Sequence, residues 1–138
     1  MPGIYLASKS PRRKEILESL EVDFKVLNYP HDESSPANSE SAFEFIERNT
    51  KEKSLSAFAY LQENGMQILP ILTADTLVSL DDRIFGKPDN KDHAISMLLE
   101  LSGQYHSVIS CVAIGVLDKT KSDTVNFNID IVETKVLF

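Results

Sequence analysis

Two long β-prone runs occupy the last third of the chain, Val108 to Leu117 and Thr124 to Leu137, joined by the polar turn DKTKSD. In the second run Val125, Phe127, Ile129 and Ile131 alternate with polar residues, the period of a strand with one buried face. So short a connection makes them an antiparallel pair. Upstream the pattern is strand followed by helix, as in parallel units, so the chain is predicted to be an α/β protein built on a mixed sheet.

Gly3 to Ala7 reads as a buried strand feeding a helix capped by Ser10, with Ile16, Leu17 and Leu20 on one side. Val22 to Asn28 alternates as a half-buried strand and runs into a loop, YPHDESSPANSE. From Ser41 the pattern is helical, as one helix or two, with Phe43, Ile46, Leu55, Phe58 and Leu61 marking the apolar stripe to Asn64-Gly65. Met66 to Leu80 is β-prone around Pro70, predicting a buried strand whose end, or a bulge in it, presents Asp75. Asp81-Asp82 marks a turn, RIFGKPDN a loop, and Lys91 to Leu101 a helix.

At 138 residues and 42% hydrophobic, residues 1–138 are expected to form one domain with its own core. A net charge of -7 argues against non-specific nucleic-acid binding, which needs an extended basic face. The single cysteine, Cys111, excludes an intrachain disulfide and sits in an apolar run as a small buried hydrophobe. Met1 to Leu20 carries charges too often for a signal peptide or membrane span. The expectation is a soluble cytoplasmic protein that binds neither membrane nor nucleic acid.

Ser10-Pro11 reads as N-cap and first residue of a helix, with Arg12 and Arg13 directly after it. Cations at the positive end of a helix are disfavoured unless an anion sits among them, so this turn asks for one. Lys53 and Lys87 add further positive charge, although a lone lysine is ordinarily a solvated surface group. Arginine forks and lysine point charges together suit a polyphosphate. Asp75 interrupts an apolar run, which costs free energy unless the carboxylate is paired, hydrogen-bonded or metal-bound. Asp32-Glu33 could offer oxygens to Mg²⁺. His31, His93 and His106 lack zinc spacing, and His106 is expected to make a structural hydrogen bond. Dinucleotide and P-loop glycine motifs are missing.

Taken in order, LASKSPRRKEIL (6–17), HDES (31–34), the helix of Lys53, TADTLVSLDDRIFGKP (73–88), AISMLLELSGQYHSVISCVAIGV (94–116) and VETKVLF resemble the Maf family of nucleoside triphosphate pyrophosphatases. The resemblance implies an elongated mixed β-sheet of the Maf and ITPase-like kind, flanked by helices, with a cleft between two lobes. It implies hydrolysis of a nucleoside triphosphate to monophosphate and pyrophosphate. In that role Asp75 would be the base activating water, and Ser8, Arg12, Arg13, Lys53, Thr76 and Lys87 would hold the substrate. Glu33 and Asp75 would bind Mg²⁺ or Mn²⁺. Thr76 after the aspartate resembles members preferring dTTP, UTP and related pyrimidine nucleotides. Thr73 stands where a smaller residue is commoner, and Asn49-Thr50 precede Lys53 less apolarly than usual.

The family's usual C-terminal segment has no counterpart after KVLF, and an open strand edge there would favour homodimer pairing. The competing reading is a non-catalytic nucleotide-binding or regulatory protein, or an inactive short form.

Overall fold

The computed structural model describes residues 3–81, 83–86 and 88–138. Its elements are β1 (Ile4–Leu6), α1 (Pro11–Ser19), β2 (Phe24–Val26), α2 (Ala42–Glu63), β3 (Ile71–Leu80), β4 (Arg83–Phe85), α3 (Lys91–Leu101), β5 (Tyr105–Asp118) and β6 (Thr124–Leu137). The strands form one sheet in the order β2-β1-β3-β5-β6, with β4 also on β3. Pairing of β1 with β2 and β3 is parallel, and the rest is antiparallel. The expected mixed sheet is therefore present.

The hairpin of β5 and β6 runs in register from Tyr105↔Leu137 to Asp118↔Thr124. A 3₁₀ turn at Lys119–Lys121, followed by Ser122 and Asp123 in the left-handed region, closes it. Pairing with β6 draws Tyr105 to Ser107 into β5, which starts three residues before the apolar run does.

The Ser41 hydroxyl and the Glu44 carboxylate form a capping box at the start of α2, and α2 is a single helix of 22 residues. It crosses β3 and β5 on one face of the sheet. Its buried line runs through Ala42, Phe45, Ile46, Asn49, Thr50, Ser54, Ala57, Phe58 and Leu61, whereas Phe43 and Leu55 face solvent. Those two were expected in the stripe. Three polar residues in the buried line disguised its true path, which advances by three and four residues throughout.

Two apolar clusters result. Near the start of α2, Phe45 and Ile46 pack with Leu77, Ile109 and Cys111. Near its end, Ala57, Phe58 and Leu61 pack with Tyr5, Leu27 and Ile71. Buried polar residues Asn49, Thr50, Ser54 and Thr73 form a band of the core between these groups on α2 and β3. Gly115 lies under α2, where a Cβ would come within 2.8 Å of Ser54 Oγ and 3.1 Å of both Phe58 and Val125. Gly115→Ala should therefore destabilise by about 1–3 kcal/mol through overpacking. An unchanged midpoint in thermal unfolding would refute that.

Three further expectations need correction. RIFGKPDN is not all loop, because Arg83–Phe85 forms β4 and pairs with Val78 to Leu80 across a tight turn where Asp81 takes a φ of 48°. The apolar side of α1 is not buried: none of its residues is, and Ile16 and Leu20 are exposed, because the helix borders an open pocket instead of closing on the sheet. His106 is buried against Phe138, and its Nδ1 has no hydrogen-bond partner among the described residues. Packing explains its position better than the expected hydrogen bond.

The feature that positions the site is a notch in the sheet. β5 runs along one edge of β3 from Ile71 to Ser79, so β1 and β4 must share the other edge. There β1 reaches only Ile71 and Leu72, and β4 only Val78 to Leu80. Among the described residues no strand lies beside Thr73 to Leu77 on that edge, and Asp75 sits at the midpoint of the gap. It lies within β3, not at a strand end or bulge as expected.

Candidate functional site

Three segments converge on the notch. The first is the turn from β1 into α1. Ser10 caps α1 by accepting from the Arg13 N–H at 3.4 Å, with Pro11 at the first helical position. The Ser8 hydroxyl oxygen accepts from Ser10 N at 3.2 Å and from Arg13 Nη1 at 3.1 Å. Its own hydrogen is left to donate outward. Arg13 Nη2 donates to Thr76 Oγ1 at 3.4 Å, and that hydroxyl meets Ser110 Oγ at 3.2 Å. Arg12 is exposed on the same first turn. The Arg13 guanidinium and an exposed Arg12 thus share the first turn of a helix whose leading N–H groups are unpaired, an arrangement suited to an anion.

The second segment is the loop before α2, held by an ion-pair network. Arg48 donates to Glu40 at 2.7 and 2.8 Å, to Glu52 at 2.9 Å and to the Ser35 carbonyl at 3.1 Å, while Ser34 donates to Glu52. Tyr29 adds a hydrogen bond to the Lys53 carbonyl at 2.9 Å, and burial pushes its hydroxyl up to about 12, so it remains a donor. This anchorage brings Glu33 to 3.7 Å from Lys53 Nζ. Asp32 does not accompany it. It lines a separate cavity of about 520 Å³ with His31, Glu52 and Ser56, so the acidic pair does not act as one unit.

The network is pH-sensitive with a definite sign. Hydrogen bonds from Arg48 and then from the Ala37 N–H hold Glu40 down to about 2, below its ordinary 4.5. The folded-state value is depressed, so the stabilisation is present above the ordinary value and is lost as pH falls through about 2. Hydrogen exchange across residues 31–37 should quicken over that window, and Arg48→Ala should quicken it already at neutral pH. Equal protection in parent and variant would show that the loop is held otherwise.

The third segment is β3 itself. Asp75 Oδ1 accepts from the Thr76 N–H at 3.0 Å and lies 3.7 Å from Lys53 Nζ, and Oδ2 accepts from the Asn49 amide. Lys53, mostly buried, thus faces Glu33 and Asp75 together. A pocket of about 300 Å³ beside the strand is lined by Arg13, Asp75 and Thr76 and walled by Leu17, Leu72 and Val112. Cys111 is fully buried opposite Asp75 on β5, as expected of a small hydrophobe, and burial pushes its thiol up.

Ser8, Arg13, Glu33, Lys53, Asp75 and Thr76 are thus drawn from four parts of the sequence to one notch, while Arg12 is exposed on the first turn of α1 and Lys87 lies outside the described residues. Asn49, noted in the sequence only as a departure from the family's pattern, and Ser110 join them without having been expected in the site. The signal for Asn49 was its polar break in the apolar line of α2. Glu33 and Asp75 offer the oxygens a hard divalent cation prefers, and Mg²⁺ needs only one or two carboxylates when phosphates complete its shell. Among the described residues no three His, Cys, Asp or Glu side chains form a metal cage by themselves. No helix among the described residues is long and apolar enough to cross a membrane.

An α/β sheet with a carboxylate and several cations at a gap between strands is chemically suited to holding phosphates, and solved structures share the fold. The nucleoside-triphosphatase / dITP/XTP pyrophosphatase of Mycobacterium abscessus matches with a TM-score of 0.52 at 17% identity, over 96% of this chain and 71% of that one. The HAM1 protein of Coxiella burnetii matches with a TM-score of 0.50 at 18% identity, over 99% and 73%. The family follows from sequence: residues 3–138 match the model of the Maf-like proteins, and the chain belongs to that family. A dTTP/UTP pyrophosphatase of Nitrosospira multiformis is 42% identical over 125 residues, covering 86% of this chain and 60% of that protein. One from Photorhabdus laumondii is 38% identical over 125 residues, covering 91% and 62%. The chain thus spans about 60% of the length of these curated relatives.

Proposed function

We propose that residues 1–138 form one Maf-like domain that hydrolyses a nucleoside triphosphate to the monophosphate and pyrophosphate, with dTTP, UTP or a related pyrimidine nucleotide as substrate. The observation that carries this reading is Asp75 in the strand gap, with the Lys53 ammonium on one side and the Arg13–Thr76 contact on the other. The names of the curated relatives support it.

The chemistry follows from charge. Attack on the α-phosphorus needs a water oriented and partly deprotonated, a task for a carboxylate held by donors on both oxygens. The departing pyrophosphate gains negative charge, which Arg12, Arg13, Lys53 and the Ser8 hydroxyl would receive at the start of α1. Lys87 would join them. Glu33 and Asp75 would hold Mg²⁺ or Mn²⁺, which supplies further charge neutralisation when bound. Thr76 would act on the substrate by setting Arg13. We read the free thiol and acidic composition as those of a cytoplasmic protein working on free nucleotides, not on nucleic acid or membranes. The outer edge of β6 would let two copies pair.

The test is pyrophosphate release from dTTP, UTP, CTP, GTP and methylated GTP, with Mg²⁺ or Mn²⁺. The expected result is metal-dependent release, fastest with dTTP or UTP. Nucleotide binding by folded protein without release from any substrate would favour a binding or regulatory role.

A further inference from the structure

We propose that Asn49 is a positioning residue for Asp75, setting the direction of the carboxylate. The proposal rests on the pyrophosphatase reading and adds a residue to it.

Asn49 is only 2% exposed, on the face of α2 that packs on the sheet. Residues one turn before it, Phe45 and Ile46, are apolar and belong to a packed cluster, so packing alone would be served by another aliphatic side chain. Instead the side-chain amide donates to Asp75 Oδ2, and its own Oδ1 is buried with no partner among the described residues. A buried acceptor left unpaired costs free energy. Turning the amide over would direct its oxygen at the carboxylate, so the contact with Asp75 fixes the orientation.

The remaining contacts of Asp75 explain what Asn49 adds. The Thr76 N–H and Lys53 both address Oδ1, leaving Oδ2 to Asn49. Without that amide the carboxylate could rotate about its Cβ–Cγ bond while keeping its neighbours on Oδ1. A neutral amide holds Oδ2 without adding charge. The anchor is firm because Asn49 is embedded in the helix beside Thr50, whose hydroxyl donates to the Ile46 carbonyl at 2.7 Å. Thr73, two residues before Asp75, donates in turn to the Thr50 carbonyl at 3.5 Å.

The experiment compares Asn49→Leu with the parent, and adds Asn49→Ser, whose hydroxyl is too short to reach Asp75, should the leucine variant fail to fold. Readouts are kcat, the Kd for a non-hydrolysable α,β-imido dTTP analogue, and thermal midpoint. A misdirected reactive group costs on the order of 10- to 100-fold, so kcat should fall by that factor with Kd and midpoint held. A parental kcat, or a parallel loss of kcat, affinity and midpoint, would overturn the proposal. If the parent itself releases no pyrophosphate, the functional reading fails separately. The Asn49 side-chain amide resonances then decide: a shift on Asp75→Asn supports the positioning contact, and unmoved resonances overturn it.

Discussion

Asp75→Asn is expected to lower pyrophosphate release by about 10²–10⁴-fold while leaving nucleotide affinity close to that of the parent. The substitution preserves shape, so the strand gap and the cations around it remain in place to hold phosphates. What disappears is the negative oxygen that can take a proton from water. Affinity should persist because Ser8 and Arg13, the proposed phosphate holders, stand on the other flank of β3 in contacts that do not involve the carboxylate. Pyrophosphate release with saturating nucleotide, beside a direct binding titration, separates the two quantities. Turnover at the parental rate would remove Asp75 from the role of base.

Lys53→Met should reduce kcat/KM by about 10²–10³-fold, comparable to losing one positioned charge donor from a reacting centre. The reason lies in what Lys53 faces. Glu33 and Asp75 both direct a carboxylate oxygen at its ammonium, so methionine would leave two negative groups opposed without the cation they share. An incoming polyphosphate would meet repulsion at the point where the parent presents an ammonium. Because the ammonium is 17% exposed and Glu33 60% exposed, water screens much of the pairing, and stability should change less than activity. Initial-rate kinetics with a thermal melt check both parts. A variant with parental kcat/KM would mean that Lys53 is a solvated bystander.

Much of the architecture was legible because its signals are local. Alternation in β6 and the Ser10-Pro11 start of α1 each depend on neighbours a few residues away. The sheet class followed from those signals, as did the suspicion attached to Asp75. Other features were hidden because they depend on distant partners. β4 is only three residues long and owes its existence to pairing with β3. The line of α2 was misread at Phe43 and Leu55 because the residues truly buried include the polar Asn49, Thr50 and Ser54, and the polarity of Asn49 makes sense only beside Asp75. Likewise Asp32 and Glu33 look equivalent in sequence, and only the path of the loop sends them to different places.

The bare underside of α1 bears on energetics as well as shape. Arg12 and Arg13 ride on a helix that buries none of its residues, next to a strand that joins β3 through only two residue pairs. Such an element draws little stability from the core and belongs at the low end of the range of local opening free energies. A bound triphosphate would contribute what packing does not, tying the helix start to β3 through the anion itself. Ligand and fold are then thermodynamically linked, and protection gained on binding should be concentrated in α1, while the hairpin of β5 and β6 is protected with or without nucleotide.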